Sequence, residues 1–542
     1  MDLKSEYTSI CSLPNELLDL ITSHLPNRDI KSLRLSCRGL SNVLPRLKRV
    51  FLSASPRNIE IFRNIADHEI HRHGVEEIIW DDALLRMGYL SEEERDNEDL
   101  GWEFEFDRDD ARNPDLCPLW FAKACRENLE MLHDRKGLDV DRPDHIARAL
   151  QVVASLKPLQ VHWTKYRRLF DEQRRVFTTN ADMDALRYGL EQFPSLKRIT
   201  ITPAAHGWLF NPLYETPMIR SFSEGFNYPI PRGWPRRRDW RDRNRASMGK
   251  EKQWRGCQAV MNLLAQVKEH HVTELVITDH ELERGLDCNM FKVPWEEYGD
   301  LVSILKRPGF SRLDLALAAA KMDEADIVVQ SMSDWPSFHN GNLRYALAQA
   351  TDLEHIHLSA CYIDMKRGQK NFRSMRRGMS LNAIFPVQQW PKLRHFGISN
   401  FVVTTDDVIS FLKKLPETIR SVELKFLYFL DEGGSWPNLL RRIRDEVGWR
   451  ARAVTTRPKL VLALEGKTSE WPARSIWIDE EVNEFLYKDG VDPFRRLMTI
   501  PKNGVGVERD LFEPEYERPY TTDVKTLERL GIVKEPKEVW FR

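Results

Sequence analysis

One template, apolar-x-x-apolar-x-apolar, recurs along the chain and constrains its fold more than any other feature. It reads Val75-x-x-Ile78-x-Trp80, Leu196-x-x-Ile199-x-Ile201, Val272-x-x-Leu275-x-Ile277, Phe310-x-x-Leu313-x-Leu315, Leu353-x-x-Ile356-x-Leu358, Leu393-x-x-Phe396-x-Ile398 and Ile419-x-x-Val422-x-Leu424, with a weaker copy at Leu460, Leu462 and Leu464. Alternation over its last positions predicts a short strand with one apolar face. A helical pattern, usually closed by a breaker, precedes six of the seven full copies: residues 56–68, 183–193 before Pro194, 258–270, 298–306 before Pro308, 343–350 and 408–415 before Pro416. The unit is helix, turn, short strand. One unit cannot bury its own apolar face, whereas stacked copies bury a continuous core, so the pattern predicts an α/β solenoid with parallel strands lining a curved sheet. A set of ordinary buried strands in an α/β domain is the alternative reading.

At the N-terminus, residues 13–49 read as a compact docking module. Pro14 suits a first helical turn, and Leu13, Leu17, Ile21 and Leu25 recur along one stripe that Leu18 and Leu20 widen. Pro26-Asn27 breaks that helix and Asn27 caps the next, in which Ile30, Leu33 and Cys37 continue the spacing up to a stop at Gly39. A third helix is expected over residues 41–50. So few residues build little core, which predicts that a partner or the rest of the chain covers part of the apolar surface. The ordered positions Leu13, Pro14, Glu16, Leu17, Ile21, Leu25, Asp29, Ile30, Leu33, Arg34, Cys37, Arg38 and Leu40 resemble the F-box. That resemblance implies docking on a Skp-family adaptor and, through it, a cullin scaffold in an SCF ubiquitin ligase. It also implies that Leu13, Pro14, Leu17, Ile21, Leu25 and Leu33 carry the contact. An amphipathic helical hairpin closing a larger domain is the other reading of these residues.

The strand copies start unevenly, from 26 residues apart (393 to 419) to 121 (75 to 196). A regular leucine-rich repeat has a period of roughly 20–29 residues, so the array is similar to degenerate leucine-rich repeats carrying long insertions. The organisation expected is an F-box over residues 11–51, a leucine-rich-repeat-like α/β solenoid over 52–466 with insertions at about 81–180 and 202–255, and a capping or accessory region over 467–542.

Composition excludes some classes of function. Hydrophobic content of 42% beside 30% charged residues describes a folded chain, and a net charge of −1 gives no overall attraction to nucleic acid or membrane. No apolar run reaches membrane-spanning length, the opening residues lack the pattern of a signal peptide, and seven scattered cysteines without a C-x-x-C pair suit a reducing compartment. A cytoplasmic or nuclear protein is expected.

Near-neutrality hides segregation: residues 92–110 hold 11 acidic and 2 basic residues, and residues 232–255 hold 10 basic and 3 acidic. Arg236, Arg237, Arg238, Arg241, Arg243 and Arg245, interleaved with Trp234 and Trp240, offer phosphate neutralisation and base stacking, the basis of a nucleic-acid-binding alternative. No recognition motif accompanies them, and a solvated insertion, an import signal or an internal mate for the acidic run needs fewer assumptions. His68, His71 and His73 invite a metal reading, but no carboxylate or cysteine completes a site, and a polar helix end accounts for them. His355 and His357 flank Ile356 and should project from the sheet face opposite the core, as candidates for target contact. Asp81 and Asp82 stand at the C-terminal end of a strand, where acid-base work would require split pKa values; a loop or helix cap explains them more simply. No G-x-S-x-G, Walker, kinase or H-E-x-x-H pattern occurs. The reading is a substrate receptor, not an enzyme, with no cofactor and no metal; a non-degradative F-box scaffold without cullin is a further alternative.

Overall fold

Every template copy forms a strand, and all of them stack in one register. The computed structural model describes all residues except 1–9, 11–12, 24, 26, 44–46, 88–115, 139–142, 235–253, 283, 293, 319–337, 339, 362–379, 431–433, 466–473, 495–500, 521–524, 526–528 and 530–542. Its strands are β1 (Arg49–Ser53), β2 (Glu77–Asp81), β3 (Arg198–Thr202), β4 (Glu274–Ile277), β5 (Leu286–Asp287), β6 (Arg312–Ala318), β7 (His355–Cys361), β8 (His395–Ser399), β9 (Val402–Val403), β10 (Ser421–Lys425), β11 (Tyr428–Phe429), β12 (Lys459–Glu465), β13 (Arg474–Trp477), β14 (Val507–Asp510) and β15 (Glu513–Pro519). Thirteen of them make one sheet in the order β1-β2-β3-β4-β6-β7-β8-β10-β12-β13-β14-β15, with β5 beside β6; β9 and β11 pair separately. Pairing is parallel from β1 to β12 and antiparallel from β12 to β15, which makes a mixed α/β fold around a large, mostly parallel sheet.

Register explains the recurrence. Ile78, Ile199, Leu275, Leu313, Ile356, Phe396 and Val422 are successive Cα partners across the sheet and are all fully buried. Trp80, Ile201, Ile277, Leu315, Leu358, Ile398 and Leu424 form a second such row two residues on. Side chains two apart on a strand share a face, so both rows lie against the helices. Helices Pro56–Asp67, Ala181–Gln192, Arg255–Gln266, Glu296–Leu305, Asn342–Ala348, Thr405–Leu412, Trp436–Glu446 and Asp479–Tyr487 contribute their buried residues to the same core cluster as these rows. Burying these rows stabilises the packing of sheet on helices, at roughly 25 cal/mol per Å² of apolar surface removed from water.

The N-terminus differs from expectation. Helices span Asn15–Ser23, Asn27–Ser36 and Arg38–Val43, so Gly39 lies inside the third helix and does not end the second. The third helix, expected over residues 41–50, is Arg38–Val43, and of the rest of that range residues 44–46 lie outside the described residues. Arg49–Ser53 pairs with β2 as the first strand of the sheet, because Val50 and Leu52 alternate inward and are buried. At the other end, Arg474–Trp477 and the two strands after it extend the same sheet. Within residues 81–180, helices Leu119–Leu138, Pro143–Ala154 and Leu159–Thr179 form, and Phe121, Trp163 and Tyr166 build a separate aromatic cluster there. Among the described residues no helix is long and apolar enough to cross a membrane.

Candidate functional site

The face of the sheet opposite the helices is a ladder of charge. In register from β1 to β12 stand Arg49, Glu77, Arg198, Glu274, Arg312, His355, His395, Ser421 and Lys459. Signs alternate over the first five, and neighbours pair: Arg49 Nε donates to Glu77 at 2.8 Å, and Arg198 Nε to Glu274 at 2.6 Å. Opposite charges directly across a strand pair stabilise it, each by roughly 0.2–1 kcal/mol. On the same face, Asp314 takes Arg312 Nη2 at 2.6 Å and stands 3.1 Å from His355 Nε2.

Three histidines sit side by side in the middle of this face. His355 and His395 stack in parallel, with ring centroids 4.0 Å apart and an interplanar angle of 7°. His357 Nε2 lies 2.8 Å from Ser399 Oγ, and its Nδ1 lies 3.6 Å from Glu423 Oε2. His395 Nε2 lies 3.5 Å from the same oxygen, is buried and makes no hydrogen bond. Lys425 Nζ reaches Glu423 Oε1 at 3.0 Å and Glu281 at 3.7 Å. Burial and the adjacent His355 push the His395 pKa down to about 3, leaving that ring neutral. Burial works against ionisation of Glu423, but Lys425 and His357 outweigh it and hold the carboxyl well below the usual range. Asp314 is likewise held low by its bonds to His355 and Arg312 in spite of burial. His355 and His357 thus project from the expected face, half-buried and within a network. His395 and Glu423 belong to the same group and were not singled out by sequence; both occupy strand positions beside a template apolar residue, as His355 does.

The polar face is concave. Glu281 follows β4 yet meets Lys425 of β10, and Asn400 Nδ2 donates to Glu281 at 3.1 Å. Tyr214 lies against Phe51, on the polar face of β1, and also against His280, while Trp208 and His280 both contact Phe512 from the turn between β14 and β15. Strands spaced about 4.8 Å apart would hold β3 and β14 nearly 40 Å from each other in a flat sheet. Contacts between the loop after β3 and Phe512 require the sheet to bend toward its polar side.

Asp81 ends β2 on this same face and Asp82 follows it, and both are buried, so neither is a solvated loop acid. Asp82 accepts from the indole nitrogens of Trp234 at 2.7 Å and Trp80 at 3.3 Å, and from the amide of Cys257 at 3.2 Å. It therefore caps the helix Arg255–Gln266 from 175 residues away. Asp81 accepts the Ala83 amide at 3.0 Å and stands 3.8 Å from His206 Nε2, whose Nδ1 lies 2.8 Å from Tyr228 Oη. Burial raises Asp81 to about 7 and Asp82 to about 6 against their hydrogen bonds, and lowers His206 to about 3. Both carboxyls are buried and Asp82 is held by three donors, an arrangement that suits a structural centre.

Trp234 is fully buried in this centre, which removes it from the proposed base-stacking surface. Arg236 to Arg245, Trp240 and the acidic run of residues 92–110 lie outside the described residues. The rings of His68 and His71 lie 4.0 Å apart and tilted by 39° at a helix end, where His68 Nδ1 accepts the amides of Ile70 and His71, in keeping with the polar-helix-end reading.

In the N-terminal helices, Leu17, Leu20 and Ile21 are 46%, 59% and 38% exposed and Pro14 is exposed, whereas Leu13, Leu25 and Leu33 are half-buried. Leu18 and Leu40 are the two buried residues of the cluster these helices form. No family model matches the chain, and no match is found among the curated proteins.

Proposed function

We propose that the chain is the substrate-recognition subunit of an SCF-type ubiquitin ligase, in which the N-terminal helices dock on a Skp-family adaptor and the concave polar face holds a protein target. The observation that carries this reading is the exposed Leu17, Leu20 and Ile21 stripe on helices whose own core cluster is centred on Leu18 and Leu40. Apolar side chains left open on so small a unit are an interface in search of a partner. On this reading Leu13, Pro14, Leu17, Ile21, Leu25 and Leu33 are the adaptor contacts, and the parallel sheet with helices on its apolar face is an irregular leucine-rich-repeat-like solenoid. Parallel sheets are usually covered on both faces. Among the described residues the second face carries Arg, Glu and His in register, which suits it to a polar protein surface. The mechanism is proximity: a target held on the sheet is brought to high effective concentration beside the conjugating enzyme that the cullin carries. The protein would act in cytoplasm or nucleus and perform no bond chemistry itself.

A pull-down of the full chain with purified adaptor and cullin tests the reading. Wild type recovers both, and a variant carrying Leu17→Asp and Ile21→Asp recovers neither while keeping its thermal unfolding profile. Adaptor without cullin would assign the chain to non-degradative scaffolding, and recovery of neither by wild type would sink the proposal.

A further inference from the structure

His357, Gly397 and Glu423 are register partners on three adjacent strands, and the middle position has no side chain. A Cβ placed at Gly397 would lie 2.2 Å from His357 Nδ1, so the imidazole fills the space a β8 side chain would take and leans across toward β10. There Nδ1 stands 3.6 Å from Glu423 Oε2, and His395 Nε2 approaches the same oxygen to 3.5 Å. The three donor atoms all lie within 4.8 Å of one another. Bonds of roughly 2.0–2.2 Å in a tetrahedral zinc site set neighbouring donors about 3.4 Å apart, so two of the three edges already have the required length.

We propose that His357, His395 and Glu423 bind a divalent transition-metal ion, zinc by the nature of the donor set, with the fourth position open to the concave face. The surroundings orient each donor. His357 Nε2 pairs with Ser399 Oγ, which turns Nδ1 toward the site, as outer hydrogen bonds do for metal-bound histidines. The stacked ring of His355 fixes the plane of His395, and Lys425 occupies Glu423 Oε1 so that Oε2 faces the two imidazoles. His395 Nε2 is buried without a hydrogen bond, a state that costs free energy unless something ligates it. Two imidazoles and a carboxylate suit zinc better than magnesium or calcium, which take oxygen donors. A water molecule, or a donor from whatever lies on the face, completes the fourth position.

The test is titration of zinc into the chelator-treated full chain by calorimetry. Wild type takes up one saturable equivalent. His395→Gln weakens uptake by about 100-fold, and so does Gly397→Ala, which keeps all three donors but displaces the His357 ring. Replacing His68 and His71 together by Gln leaves it unchanged. Cobalt(II) added to the wild-type chain gives the visible absorption of a four-coordinate ion, a readout that depends on no variant folding. No saturable equivalent in wild type, a six-coordinate cobalt spectrum, unaltered affinity in His395→Gln, or loss in the His68 and His71 variant would overturn the proposal.

Discussion

The ring of Phe512 meets the indole of Trp208 at 5.2 Å between centroids and 64° between planes, joining the turn between β14 and β15 to the loop that follows β3. Asn211 Nδ2 adds a hydrogen bond to the Phe512 carbonyl at 3.1 Å, across 301 residues of sequence. Phe512 is 1% exposed, so Phe512→Ala removes a buried ring as well as the tie between distant parts of the sheet. The expected cost is about 3–4 kcal/mol, with faster hydrogen exchange at residues 204–214 and little change in β7. Exchange measured by mass spectrometry decides the matter, since unaltered rates over 204–214 would mean that the contact ties nothing.

Asp82 makes a second long-range prediction. Asp82→Ala strands two buried indole N–H groups and a helix-end amide, at an expected cost of about 2–4 kcal/mol. Gly256→Ala should destabilise the same centre with the carboxylate in place, because its Cβ would meet Asp82 Oδ1 at 1.9 Å. Chemical denaturation followed by tryptophan fluorescence reports both. Wild-type midpoints in either variant would contradict the cap.

Asp81 predicts a dependence on pH with a definite sign. Burial raises its folded pKa to about 7, above the ordinary aspartate value, so its favourable contribution is complete below about pH 4 and disappears as pH rises through 7. Neutral His206 has the opposite tendency, losing stability as pH falls below 6.5 toward its lowered value of about 3. Comparing wild type with Asp81→Asn isolates the carboxyl. The variant should gain about 2 kcal/mol on wild type between pH 5 and pH 8, measured by urea denaturation. A difference that does not change with pH would show that Asp81 ionises normally.

Neighbouring leucines of the first helix should behave oppositely. Leu17→Ala touches an exposed side chain and is expected to change stability by no more than about 0.5 kcal/mol while weakening adaptor capture. Leu18→Ala opens the small core it shares with Leu40 and should cost the helical unit about 2–4 kcal/mol. Circular dichroism beside a binding assay separates the two. Equal loss of fold in both variants would end the distinction between docking surface and core.

The strands were legible because register and sequence carry the same signal. Val75, Leu196, Val272, Phe310, Leu353, Leu393 and Ile419 each stand just before a strand and are buried, which is why the template begins with an isolated apolar residue. The charge ladder was present in the same copies, at the residue preceding the second apolar position, but it emerges only when copies are aligned as strands, and so His395 was overlooked. Arg49–Ser53 was misread because its alternation, Val50 and Leu52, is too short to distinguish from the end of a helical module. Contacts such as Asp82 with Cys257, or Phe512 with Trp208, depend on the curvature of the finished sheet and leave no local trace.

The direction and composition of the last strand bear on how copies of this chain meet one another. Among the described residues β1 and β15 are the two edge strands of the sheet, and an exposed edge is a template for another chain. Residues 513–519 read Glu-Pro-Glu-Tyr-Glu-Arg-Pro, in which Pro514 and Pro519 supply no N–H for pairing with a further strand. Open-ended growth of one copy on the next needs two receptive edges, and among the described strands β15 makes a poor one. The two prolines of the last described strand thus work against addition of another chain along that edge.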